Sequence, residues 1–151
     1  KYKKKIDLSK SIMIHGGGWK KLSNINISNE QFKLKLKKHC KIENVYNYYG
    51  MVEQTGSVFF ECKKGNFHTS IFNDILIRNK YDFSISKIGE KGIIQVFSLI
   101  PESYPGHSIL TEDEGLMLGE SKCGCGNGSK YFRIIGRIKN SEIRGCSDAY
   151  E

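Results

Sequence analysis

A tyrosine ring, two glycines, a carboxylate and a hydroxyl fall together in Tyr48-Tyr49-Gly50-Met51-Val52-Glu53-Gln54-Thr55-Gly56. Such a mixture is poor core material. A ring can stack on a base, a glycine lets backbone approach a ligand, and a carboxylate can hold Mg²⁺ beside phosphate oxygens. An ordinary strand-to-turn corner has the same look, so the weight of the stretch depends on the rest of the chain.

A second set is built on sulfur. Cys62 and His68 lie six positions apart across an expected hairpin, and Cys123-Gly124-Cys125-Gly126 puts two thiols on a glycine-rich turn. One His and three Cys satisfy tetrahedral Zn²⁺, and hairpins and turns commonly carry structural sites. The spacing departs from the usual two-residue gap between ligand cysteines, so a buried thiol, a surface histidine and an unliganded turn remain the alternative. Pro105-Gly106-His107-Ser108-Ile109-Leu110-Thr111-Glu112-Asp113-Glu114-Gly115 places three acids after an apolar strand. A carboxylate at a strand end can accept both ribose hydroxyls of a nucleotide; a solvated acidic turn would read the same. Arg137 and Lys139 supply cations after another β segment, and Arg suits bidentate phosphate contact. Cys146, two residues after Arg144, has a cation that lowers its pKa and a short tail that can carry a nucleophile, or else it is incidental.

Elements must position these groups. Ser11 to His15 reads as a short buried strand running into Gly16, Gly17, Gly18 and Trp19, the place where an α/β sheet exposes backbone to a ligand. Ser28-Asn29-Glu30-Gln31 is a capping box and predicts a helix from about Asn29 to His39. Phe32, Leu36 and Cys40 share one face, which makes Cys40 a core thiol. The chain then returns as a strand over Asn44 to Tyr49, expected to run parallel to the first. Beyond Gly56 short strands are expected at 57–62, 66–69, 74–78, 93–99, 107–111, 116–118 and 130–135, separated by turn signals. The fold class is therefore α/β: the end of a parallel α/β sheet unit followed by a strand-rich twisted sheet or small barrel. The expected divisions are 1–56, 57–135 and a hinge-like tail, 136–151.

Hydrophobic content of 38%, with eight Phe and eight Tyr, describes a globular chain. The net charge of +8 gathers in Lys1 to Lys5 and Lys33 to Lys41. It reads as a solvated tail and helix face, with an anionic nucleotide or acidic partner as the sharper alternative. Aromatic residues do not interleave with the basic run as a single-strand platform requires, which disfavours nucleic acid. No apolar run approaches the roughly 20 residues of a membrane span, and no signal peptide is read, so the expected location is the cytoplasm. Five cysteines argue for metal, catalysis or burial over a disulfide framework.

In this order, the stretches resemble the carboxyl-terminal part of LuxE-type acyl-protein synthetases, the long-chain fatty acid–protein ligases of the adenylate-forming superfamily. The resemblance runs from about Ile12 to Tyr150. It rests on His15-Gly16-Gly17-Gly18-Trp19-Lys20, Tyr49 to Gly56, Phe67-His68-Thr69-Ser70-Ile71-Phe72, Tyr104 to Asp113, and Glu142-Ile143-Arg144-Gly145-Cys146-Ser147-Asp148. It implies part of the large domain of an adenylate-forming enzyme, with ATP and Mg²⁺ as cofactors. Gly16, Gly17 and Gly18 would line the adenine and acyl pocket, Tyr49 would stack on adenine beside Gly50, and Glu53 would sit by Mg²⁺ and the phosphates. Asp113 matches the ribose-binding aspartate, Arg137 the arginine near ribose and α-phosphate, and Lys139 the hinge position. Val52 stands where most of the superfamily has threonine, with Thr55 as a substitute contact. Cys146 matches the cysteine that takes the acyl group as a thioester for a partner reductase or acyl carrier. The substrate implied is a fatty acid or another carboxylic acid. Some phenylacetate-CoA ligase-like relatives carry a Cys/His metal site in the matching place, which favours a structural Zn²⁺ on Cys62, His68, Cys123 and Cys125. The superfamily's Ser/Thr/Gly-rich phosphate loop is not found, so this chain alone is not expected to adenylate efficiently. A phenylacetate-CoA ligase-like acyl-CoA ligase fragment and a zinc-stabilised binding module are the competing readings.

Overall fold

The computed structural model describes residues 6–16 and 27–138. Among them, one compact unit takes in the residues up to Asn47 and a second those from Tyr48 onward.

In the first unit, strand β1 (Ile12–Gly16) neighbours β2 (Asn44–Tyr49), and helix α1 (Asn29–Cys40) lies between them in sequence. The helix begins where the capping box requires. Gln31 N donates to Ser28 Oγ at 3.2 Å, and Ser28 N donates back to Gln31 Oε1 at 3.1 Å, which satisfies two amides that the first turn leaves without helical partners. It ends at Lys41, whose left-handed φ of 59° turns the chain while its N–H donates to Lys37 O. Lys41 Nζ also reaches Asp7 Oδ2 at 2.6 Å. Phe32, Leu36 and Cys40 do form the more sheltered face, yet no residue of the helix is buried. Cys40 is thus half-buried rather than a core thiol, because one apolar residue per turn makes too narrow a stripe to seal a helix face.

The second unit is a five-stranded antiparallel sheet in the order β4-β8-β7-β6-β5, made of Phe67–His68, Lys130–Arg137, Ser108–Glu120, Lys91–Ser98 and Asn73–Arg78. The short β3 (Phe59–Phe60) pairs with the end of β2 through Tyr48↔Phe60 and Tyr49↔Phe59. Alternation in β5 turns Asn73, Ile75 and Ile77 to the buried side, as the two-residue period of a strand demands. Ile75, Ile77, Ile94 and Val96 meet Phe59, Phe67 and Phe132 in one core. Phe132 is fully buried and packs edge-on to Phe59 with centroids 5.3 Å apart.

Two segments expected as separate strands, His107 to Thr111 and Leu116 to Leu118, are one strand, β7. The acids between them are therefore not an exposed turn at a strand end: Asp113 pairs with Arg137 within the ladder. Register shifts between Glu114 and Gly115, and again between Met117 and Gly119, let β7 bend without leaving the sheet. Gly115 is needed there, since a Cβ would stand 2.8 Å from Arg133 O.

Candidate functional site

The second unit gathers two groups of chemically competent side chains. The first lies where β2, β7 and β8 bring their residues together. Tyr49, last residue of β2, packs its ring against Phe59 and Phe132 at centroid distances of 6.1 and 6.4 Å. Its hydroxyl donates to Asp113 Oδ2 at 2.8 Å. Opposite Asp113 in the ladder, Arg137 places Nε 3.8 Å from Asp113 Oδ1 and Nη2 2.6 Å from Glu112 Oε2. Burial, then the Asp113 charge and its hydrogen bond, push the Tyr49 phenol well above its ordinary value, so it stays a donor throughout the physiological range. The result is a carboxylate held from one side by a neutral hydroxyl and from the other by a guanidinium, with acceptor capacity to spare for hydroxyl donors.

The turn after β2 carries three more of the expected nucleotide residues, Gly50, Glu53 and Thr55. A Cβ on Gly50 would lie 3.1 Å from Ser57 O, tight enough to favour glycine. Glu53 and Thr55 are exposed, and Glu53 has no ion pair or side-chain hydrogen bond among the described residues. Gly16 closes β1 in the first unit. Gly17, Gly18, Lys139 and Cys146 lie outside the described residues.

The second group is the sulfur set. Cys62 and His68 flank a hairpin closed by Cys62 N→Asn66 O at 2.8 Å and Gly65 N→Cys62 O at 2.8 Å. Gly65 adopts a φ of 76° that most residues avoid. Cys123 and Cys125 sit on the β7–β8 loop, where Gly124 and Gly126 also take positive φ and Ser121 Oγ donates to Gly128 O at 2.7 Å. The pairing of His68 with Tyr131 joins β4 to β8 and so brings hairpin and loop together. All four donor atoms fall within 4.8 Å of one another.

Their geometry fits a tetrahedral metal. Bond lengths of about 2.3 Å to sulfur and about 2.1 Å to nitrogen give ligand separations of about 3.8 Å and about 3.6 Å respectively. Cys62 Sγ lies 3.7 Å from Cys123 Sγ, and Cys125 Sγ lies 3.4 Å from His68 Nε2. The surroundings also suit thiolates. Lys64 N, Asn127 N and Asn66 Nδ2 each aim at a sulfur, of Cys62, Cys125 and Cys123 in turn, at 3.4 Å. Burial raises the Cys62 thiol, but the backbone N–H groups of Asn66 and Lys64 and the neighbouring thiols reverse this, and its pKa falls below the ordinary value. Burial, with Cys62 beside it, pushes Cys123 up; a dication among the sulfurs would offset that cost. Burial lowers His68 and keeps it neutral, as a ligand must be. Ser129 Oγ, 3.2 Å from His68 Nδ1, fixes the ring so that Nε2 faces the sulfurs.

Residue types alone gave no role to Gln54, Tyr104, Asn66 or Ser129. Asn66 and Ser129 sit within the two cysteine-bearing turns, and Gln54 and Tyr104 within the glycine-bearing stretches, so position was their one sequence signal.

The model of one protein family, described as acyl-protein synthetase, LuxE, matches residues 4–151. None of the curated proteins matches. Among solved structures, an open conformation of 2-hydroxyisobutyryl-CoA ligase in complex with 2-HIB-AMP and CoA is similar at 17% identity and a TM-score of 0.63, over 84% of this chain and 27% of that one. A long-chain-fatty-acid-CoA ligase from Archaeoglobus fulgidus gives 13% identity and 0.57, over 91% and 30%. The luciferase-like enzyme of the nonluminescent Zophobas morio mealworm gives 22% and 0.56, over 90% and 33%. At these identities the likeness shows the fold, and the chain spans a third or less of each structure's length.

Proposed function

This chain belongs to the LuxE acyl-protein synthetase family, and from that membership we propose that it is part of an ATP-dependent ligase that activates a fatty acid and takes the acyl group on Cys146. In the first step a carboxylate oxygen of the acid attacks the α-phosphorus of ATP, giving acyl-AMP and pyrophosphate. In the second, the Cys146 thiolate attacks the acyl carbonyl; the thioester forms, AMP leaves, and the acyl group is ready for a partner reductase or carrier.

The observation that carries this reading is the convergence of Tyr49, Asp113 and Arg137 from three strands. Asp113 would accept from the ribose hydroxyls, Tyr49 would border the adenine, and Arg137 would exchange part of its pairing with Glu112 for the α-phosphate. Gly16, Gly17 and Gly18 would line the adenine and acyl pocket, with Gly50 and Thr55 at the nucleotide and Lys139 at a hinge. Glu53, free in its turn, would hold Mg²⁺, which neutralises phosphate charge when bound. A parallel pairing of β1 with β2 belongs to the same reading. Zn²⁺ on Cys62, His68, Cys123 and Cys125 would serve structure, since all four positions are taken by protein atoms.

The similarity to 2-hydroxyisobutyryl-CoA ligase favours one other acceptor, CoA in place of Cys146. Intact-protein mass spectrometry after adding a synthetic long-chain acyl-adenylate separates the two. Under our reading an acyl adduct appears, maps to Cys146, is released by neutral hydroxylamine and is lost in Cys146→Ser. A folded chain that binds the adenylate without acylation removes Cys146 from the chemistry, and CoA-thioester formation by the same variant would establish the alternative.

A further inference from the structure

The turn after β2 is pinned from behind by residues that have no part in the reading above. Gln54 is 1% exposed, yet it is a primary amide between two exposed neighbours. Its Nε2 donates to Gly106 O at 2.8 Å and to Val96 O at 3.2 Å, reaching the connection between β6 and β7 and the strand before it. Its Oε1 has no partner among the described residues. A buried amide with one unmet acceptor is a destabilising choice where an apolar side chain would fit, so its value must lie in the two bonds it donates.

Tyr104 grips the next residue. Its hydroxyl accepts from Thr55 N at 2.9 Å and donates to Thr55 Oγ1 at 3.2 Å. The ring is seated by Gly106, where a Cβ would come within 2.2 Å of Tyr104 Cε2. Ile100, from the same connection, lies under Gly56, whose φ of 83° closes the turn. Three side chains thus fix Gln54, Thr55 and Gly56 to one backing segment, 99–107. Glu53, between them and an 87% exposed Val52, is left to face solvent.

We infer that Gln54 and Tyr104 are positioning residues that hold the Glu53 carboxylate in place for the phosphate–Mg²⁺ end of a nucleotide. The inference rests on the nucleotide role of Glu53 proposed above. Preorganisation of this kind matters because a side chain on a free turn must give up its conformational freedom when the ligand binds.

The test is calorimetric titration of the full chain with ATP, with Mg²⁺ and with Mg²⁺ chelated. The variants are Gln54→Met, Tyr104→Phe, Glu53→Gln and the corresponding doubles. Gln54→Met keeps the volume and removes both donors; Tyr104→Phe removes one oxygen and guards against a folding defect in the first. Each should weaken MgATP binding by about three- to tenfold, the worth of one or two hydrogen bonds. Metal-free ATP should change less than about twofold, and neither variant should weaken binding further in a Glu53→Gln background. Amide exchange at Thr55 should rise in Tyr104→Phe. Equal losses with and without Mg²⁺, or full losses on top of Glu53→Gln, reduce the pair to a purely structural role. Glu53→Gln binding MgATP like wild type, or a wild-type chain that binds no ATP, overturns the nucleotide reading and this inference with it. Glu53→Gln weakening binding while the other two do not overturns the inference alone.

Discussion

Tyr49 shows how one side chain serves packing and polarity at once. Its ring belongs to the aromatic cluster with Phe59 and Phe132, while its hydroxyl is committed to Asp113. Both facts raise its pKa above the ordinary 10.0, burial most of all and the Asp113 charge next. Because the folded value exceeds the unfolded one, the native chain binds more protons in that window. The stability Tyr49 contributes is fully present below about pH 10 and is lost as pH rises through the folded value. Tyr49→Phe should therefore flatten the fall in stability above pH 10 and remove from an absorbance titration a phenol that resists ionisation. Denaturant melts at pH 9 and 11 for both proteins check this. An unchanged alkaline slope would mean that the hydroxyl is not buried against a carboxylate in solution.

Local sequence signals decided the elements that depend on local bonds. The capping box at Ser28 announced where α1 begins, and Ser28→Ala should cost about 1 kcal/mol. Since no residue of the helix is buried, the variant should show this as reduced ellipticity at 222 nm in the native protein; an undiminished helix signal would assign its start to packing instead. The strands of the second unit were legible for the same reason: the apolar run Ile75-Leu76-Ile77 marks the centre of β5, and glycine-bearing turns bound most of the others. What escaped was continuity. Glu112, Asp113 and Glu114 look like a solvated turn, and nothing in their types reveals that Arg137 stands opposite to pair them within a ladder. The bulges that let β7 carry acids through the sheet are set by contacts between strands distant in sequence. The metal ligands were readable as types, but their convergence depends on the β4–β8 pairing, which no single hairpin specifies.

At the scale of the whole chain, a metal at Cys62, His68, Cys123 and Cys125 would act as a cross-link. Its two ligand pairs are separated by about 60 residues, with Cys62 and Cys123 61 apart in sequence, and the intervening chain holds β5, β6 and β7. In the folded chain the sheet has already closed this long loop, whereas the unfolded chain would bear its closure entropy to assemble the ligands, so the metal favours the folded state. The unfolded chain offers no preformed site, so binding free energy becomes folding free energy. At free Zn²⁺ a thousand times its Kd the gain is about 4 kcal/mol, and for a chain of this length each kcal/mol moves Tm by about 2–4 °C. Chelation should therefore lower Tm by about 10 °C. His68→Ala should reproduce the loss and abolish the response to added zinc. Tight zinc binding that leaves Tm in place would mean that the unfolded chain holds the ion as well as the folded one, and the cluster would then add nothing to the stability that Phe67, Phe132 and their neighbours supply.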